Sequence, residues 1–295
     1  MSGSHRLRSR ACALAAVALV LGAARAAPAR DFLWKVSSKG GSIYVAGSIH
    51  LLRQDFYPLS PALERAFAES DLLVEEVDLG ELLSPGAQMQ LLARGMLPGN
   101  TSLEAVVSPA TLTLVADRAT QLGLPLEPLK RFKPWSLALT LAGLEWQRAG
   151  FDAEIGLDRH FYDRARAEQK GVQGLETVDY QISRLDGLAA EEQERLLSET
   201  LADLDTELAN LTALVGAWKS GDAAAVEQIV LKDVQREPVL YERLLVERNR
   251  SWLPRLEALL ARPRPAFVVV GAAHLVGPDG LLAMLKARGY AVEQL

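Results

Sequence analysis

Two stretches stand out by residue type and spacing: Gly47-Ser48-Ile49-His50 and Gly271-Ala272-Ala273-His274. Each Gly-x-x-His closes a short β-leaning run, Ile43 to Ser48 before the first and Ala266 to Val270 before the second. Neutral imidazole nitrogens at two strand ends, completed by carboxylates, suit zinc, manganese, iron or cobalt. A glycine three residues earlier lets backbone or ligand come close to the strand end. A lone Gly-x-x-His arises often by chance. Two copies carry more weight in a chain with only four histidines, His5, His50, His160 and His274. The plain alternative is a pair of hydrogen-bonded structural histidines. For His160, which has no such setting, a place on a helix face is the preferred reading.

Carboxylates close two further runs. Leu72 to Asp78 and Gly171 to Thr177 read as short strands, the first holding Glu75 and Glu76 and the second ending in Glu176. Adjacent strand residues face opposite sides, so Glu76, at the strand end, is the candidate ligand or general base. Glu75 is then expected to face solvent or to pair with a helix. Functional groups of open α/β sheets gather at the carboxyl ends of strands, which puts His50, Glu76, Glu176 and His274 in one candidate centre. Arg248, in Arg248-Asn249-Arg250 ahead of Trp252, is a candidate to stabilise an oxyanion or hold a substrate carboxylate. Its alternative is an exposed basic helix face. Arg53 and Asp55 come after His50 on a loop and are expected either to line the cleft or to lie on its surface. The chain has no P-loop, Rossmann glycine pattern, Gly-x-Ser-x-Gly or His-Glu-x-x-His.

The elements that must position these residues repeat. Each Gly-x-x-His leads into a loop with proline, a helical segment (near Ser60 to Ser70, and Leu281 to Arg288) and another β-rich run. The spacing predicts an α/β fold: a mixed sheet from two strand–loop–helix–strand units, with a mostly helical insertion at about 80–262. No linker interrupts residues 27–295, so one domain is expected. Leu197, Leu201, Leu204, Leu208, Leu211, Val215 and Trp218 form one apolar seam, read as a helix in an intramolecular hairpin rather than a coiled coil. Val239 to Arg262 is expected to be a helix broken or kinked before Pro254.

Residues 1–26 have the order of a secretory signal. Arg6, Arg8 and Arg10 precede the apolar run Ala11 to Ala23, and Ala24-Arg25-Ala26 offers the small residues a signal peptidase reads. Their removal takes four arginines and no acid, leaving 28 Lys and Arg against 37 Asp and Glu, a net of −9. That balance excludes a basic nucleic-acid footprint. The single cysteine, Cys12, lies in the leader, so a mature metal site would use histidines and carboxylates. A periplasmic or secreted protein without stable membrane insertion is expected.

Taken together, Gly47 to His50, Glu76-Val77-Asp78, Gly174 to Thr177, Arg248-Asn249 and Gly271 to His274 resemble the TraB/GumN family, over about Leu33 to Leu295. That family belongs to the TIKI superfamily, with erythromycin esterases and ChaN-like haem-binding proteins as distant relatives. The resemblance implies a mixed α/β fold with two related halves and a helical insertion. By analogy with the superfamily's metalloproteases, it implies a metal-dependent hydrolase acting on a peptide or small-molecule substrate. Carried over, His50, His274 and Glu76 would hold a divalent ion (Mn, Co or Zn), Glu76 or Glu176 would serve as ligand or base, and Arg248 would hold substrate. Three alternatives stay open: a haem- or metal-binding protein without turnover, a metal-free esterase with a histidine base, and a partner protein whose site has decayed.

Overall fold

The computed structural model describes residues 30–295 apart from residue 233; the expected leader, residues 1–26 with Cys12, lies outside the described residues. Among the described residues there are six strands: β1 (Leu33–Ser37), β2 (Ser42–Ser48), β3 (Leu72–Glu75), β4 (Gly171–Gly174), β5 (Ala266–Gly271) and β6 (Ala291–Gln294). They form one sheet in the order β4-β3-β5-β2-β1-β6. The strands β2, β3, β4 and β5 run parallel, while β1 is antiparallel to both β2 and β6. The mixed α/β class is as expected.

At the centre lies β5, Ala-Phe-Val-Val-Val-Gly, paired on one side with β2 and on the other with β3. All six of its residues are buried. A strand covered on both faces needs a continuous apolar run, and this segment has one. The β1–β2 hairpin closes through the Ser38 N–H to the Gly41 carbonyl at 2.9 Å. The helix Pro61–Glu69 joins β2 to β3, with the Ser60 hydroxyl accepting from the Leu63 N–H. That cap satisfies one of the helix's unpaired amide groups. Strand β3 ends at Glu75, short of the expected Asp78, but pairing with the β4 side runs on: the Leu175 N–H donates to Glu75 O and the Glu176 N–H to Glu76 O, each at 2.8 Å.

Between β3 and β5 the described elements are helices apart from β4. The helix Ala190–Lys219 spans two cores. Leu197, Leu201 and Leu204 pack in a cluster with Leu137 and Leu141 of the helix Pro134–Arg148. Val215 and Trp218 join the core around the sheet. The apolar seam is thus used inside the chain. Trp218 also donates its indole N–H to the Gly47 carbonyl at 2.7 Å, tying this helix to the end of β2.

The late helix is interrupted before Pro254, as expected, but eight or more residues upstream of it. It is interrupted by a π-turn, Glu242–Val246, and the helix Glu247–Leu259 then passes through Pro254. The Glu247 N–H reaches back five residues to Glu242 O. The wider turn holds an extra residue, so Leu245, Val246, Arg248 and Asn249 are all buried within a five-residue span. Among the described residues no helix is long and apolar enough to cross a membrane.

If the long helix is fastened by its seam, Leu197→Ala lowers the unfolding free energy by about 2–5 kcal/mol in urea denaturation. A change near zero would mean that this position is not packed.

Candidate functional site

Parallel β2, β3, β4 and β5 end on the same side of the sheet, so the residues just after them meet there: His50, Glu76, Glu176 and His274. Arg248 and Asn249 arrive from the helix Glu247–Leu259, and Asp158 from the helix Leu157–Ala167. The latter is docked by its Leu157 N–H on Ile49 O at 3.3 Å, next to His50.

Arg248 is the hub. Its Nη2 donates to Glu76 Oε2 at 2.5 Å and to Glu176 Oε1 at 2.7 Å, and its Nε to Glu176 at 3.1 and 3.2 Å. Its Nη1 lies 3.0 Å from His274 Nε2 and donates to Leu244 O at 3.2 Å. The guanidinium also covers the Trp252 ring, and Trp252 Nε1–H donates to Glu176 Oε2 at 2.8 Å. Arg248 is only 8% exposed, which corrects the exposed-face alternative. Its donors are committed to the chain, and Glu176 stands behind it with both oxygens engaged.

Glu76 faces the histidines. Its Oε1 accepts the Gly271 N–H at 2.7 Å and lies 4.0 Å from His50 Nε2 and 3.8 Å from His274 Nε2. Its Oε2 also accepts from Gln181 Nε2 at 3.2 Å. Burial disfavours the charge, but Arg248, the histidines and the Gly271 N–H hold the Glu76 carboxyl well below the usual carboxylate range. The Gly271 position has no room to spare: a Cβ there would lie 3.2 Å from both Glu76 Oε1 and His50 Nε2. Gly47 has a different use, since a Cβ there would overlap the Phe32 ring.

The two histidines are held alike and titrate oppositely. Asn249 Nδ2 donates to the carbonyls of Asp279 and His274, so its Oδ1, 2.7 Å from His274 Nδ1, accepts. Nδ1 therefore carries the proton and Nε2 is bare. Burial, with Arg248 and His50 nearby, pulls His274 down to about 3. His50 Nδ1 instead meets Asp158 Oδ2 at 2.9 Å, and Ser48 Oγ donates to the same oxygen. That carboxylate lifts His50 to about 9. The His50 side chain is 57% exposed and faces a cavity of about 340 Å³.

Asp158 and Gln181 carry no signal of the centre in the sequence, and Asn249 is marked there only as part of the Arg248-Asn249 stretch. Asp158 is an acid in a first helical turn, a placement so common that it carries no signal. Glu75 is a correction: it is buried, not solvent-facing, because both sides of β3 are covered. Burial, then Asp158, pushes its carboxyl up to about 9. Arg53 and Asp55 pair with each other at 3.0 Å and do not line the cavity. His160 packs between Tyr57 and Phe161, outside the centre.

A folded-state pKa of about 9 against an ordinary value of roughly 6.5 means that folded metal-free protein binds the His50 proton more tightly. The resulting stability is fully present below the ordinary value and is lost as pH rises towards the folded one. Asp158→Asn therefore drops the His50 pKa by about 1–3 units in an NMR titration, and the loss of stability on the alkaline side becomes shallower. An unmoved His50 pKa would refute the dyad.

A model of the TraB/PrgY/gumN family matches residues 32–294. The uncharacterized protein YbaP of Escherichia coli (strain K12) is 28% identical over 248 residues, covering 82% of this chain and 87% of that protein. The Shigella flexneri protein of the same name matches with the same identity and coverage. No solved structure gives a significant match. The family match takes in every element of the sheet and every residue of the centre, and the chain belongs to the TraB/PrgY/gumN family.

Proposed function

We propose that the protein is an exported, metal-dependent hydrolase of peptide bonds, with His50, Glu76 and His274 as the metal-holding set. The observation that carries this reading is the convergence of two Nε2 atoms on one Glu76 oxygen, at 4.0 and 3.8 Å. Those separations are too long for hydrogen bonds. Each ring is fixed through Nδ1 by an oxygen acceptor, Asp158 or Asn249, the usual support of a metal-bound imidazole. The buried cluster also holds two carboxylates against one guanidinium.

As the side chains stand, no three of His, Cys, Asp and Glu close on one point among the described residues, and Arg248 Nη1 addresses the His274 lone pair. The donors fit a borderline divalent cation (Mn, Co or Zn) in type and charge. Arg248 has to release His274 for such an ion to enter. When bound, the cation supplies Lewis acidity to the scissile carbonyl and to water. The chain's own residues do the rest. Asp158 and Asn249 orient the two rings. Glu76, held ionised, is a better ligand than base, because a carboxylate of low pKa takes protons poorly. Glu176 keeps Arg248 in place beside Glu76, and the cavity receives substrate next to His50. Export is supported by the order of residues 1–26 and peptide substrates by the superfamily resemblance. A metal-free esterase is the second reading, favoured by the Asp158–His50 pair facing the cavity, whose ring serves as base once it has given up its own proton on the alkaline side.

The test is metal content of purified mature protein, wild type against the His50→Ala/His274→Ala double variant. About one ion per chain, lost in the variant, is expected. Asp158→Asn then weakens metal affinity about 10–100-fold, and chelator abolishes hydrolysis of a peptide library. No ion in wild type after incubation with manganese, cobalt and zinc ends the metal reading. Ester hydrolysis that survives chelator but not His50→Ala establishes the second.

A further inference from the structure

The cavity beside His50 has two kinds of wall. Val77, Leu79, Leu82 and Leu83 supply an apolar side, and Leu83 stays 44% exposed. The other wall is charged, and nearly all of that charge is paired. Asp158 holds His50 at 2.9 Å, Glu76 holds Arg248 at 2.5 Å, and Arg159 lies between Glu154 at 3.3 Å and Asp163 at 2.8 Å.

Glu75 is the exception. It is 2% exposed, the least of any residue lining the cavity. Its Oε2 accepts one long bond from the Leu79 N–H at 3.4 Å, and its Oε1 has no hydrogen-bond partner among the described residues. A buried carboxyl oxygen is costly to leave unpaired. It lines the same cavity as His50 and Glu76, so whatever pairs with it is held near the reacting centre.

We propose that this cavity is the subsite for a basic substrate side chain of the lysine type. Its alkyl stem lies along Leu79, Leu82 and Leu83, and its terminal ammonium donates to Glu75 Oε1, the approaching positive charge favouring the ionised carboxyl. An apolar side chain would cover the leucines and leave Oε1 unpaired; a bare small cation would do the reverse. An alkyl chain with a cationic head satisfies both walls. As a statement about substrate the inference rests on the hydrolase reading, but the binding it requires does not.

Two probes of similar size decide it: Nα-acetyl-lysine methylamide and its uncharged counterpart, Nα-acetyl-norleucine methylamide. Each is titrated into mature protein while the methyl signals of Leu79 and Leu82 are tracked by NMR. The lysine probe is expected to bind at least about tenfold more tightly and to move those signals, and Glu75→Gln is expected to erase the preference. Equal or tighter norleucine binding, shifts confined to other residues, or a preference surviving in Glu75→Gln each overturn the proposal. Should that variant not fold, the two probes on wild type still decide. Hydrolysis without lysine preference removes the subsite and leaves the hydrolase; lysine binding persisting in an inactive His50→Ala variant supports the subsite on its own.

Discussion

Two carboxylates, Glu76 and Glu176, lie side by side at the ends of adjacent parallel strands, both buried. Left to themselves they would repel in a medium that screens charge poorly, and the strand ends could not close. The Arg248 guanidinium makes the arrangement possible. One planar fork reaches both acids and the His274 ring, which a lysine ammonium could not match in geometry. Such a cluster is weak evidence for net stability, since apolar side chains could replace it. Once it is built, however, losing one member leaves a buried charge uncompensated, at about 3–5 kcal/mol.

Much of the surrounding structure serves that placement. The π-turn at Glu242–Val246 sets the register that buries Arg248 and Asn249 together. Asn249 then spans two carbonyls and fixes the His274 tautomer. Trp252, one turn on, presents its N–H to Glu176 and its ring to Arg248 and His274. Three side chains of one helix thus hold the guanidinium, the carboxylate behind it and the imidazole before it.

The two histidines show environment outweighing residue type. They come after strands of the same pattern, yet one is raised to about 9 and the other lowered to about 3. Asp158 explains the first and burial beside Arg248 the second. The centre is therefore asymmetric, with one exposed, proton-holding ring at the cavity and one sealed, neutral ring behind it. The repeat seen in the Gly-x-x-His stretches extends to their strands but not to their chemistry.

Residue order by itself determined the strands and the groups at their ends. The apolar runs before His50 and His274, the helical segment near Ser60 to Ser70 and the seam from Leu197 to Trp218 are local patterns, and burial periodicity is a local property. The same patterns put His50, Glu76, Glu176 and His274 at strand ends, and only the parallel pairing of β2, β5, β3 and β4 made those ends one place. Other features depended on contacts far apart in sequence. Asp158 meets His50 across 108 positions and Arg248 meets Glu76 across 172. The burial of Glu75, expected from alternation to face solvent or to pair with a helix, turned on what covers β3 in space. The interruption expected before Pro254 is a π-turn at Glu242–Val246, far enough upstream that Pro254 itself lies inside the following helix. Tertiary structure decided these points because a proton's affinity, a guanidinium's partners and a carboxyl's exposure are set by neighbours in space, which no local pattern encodes.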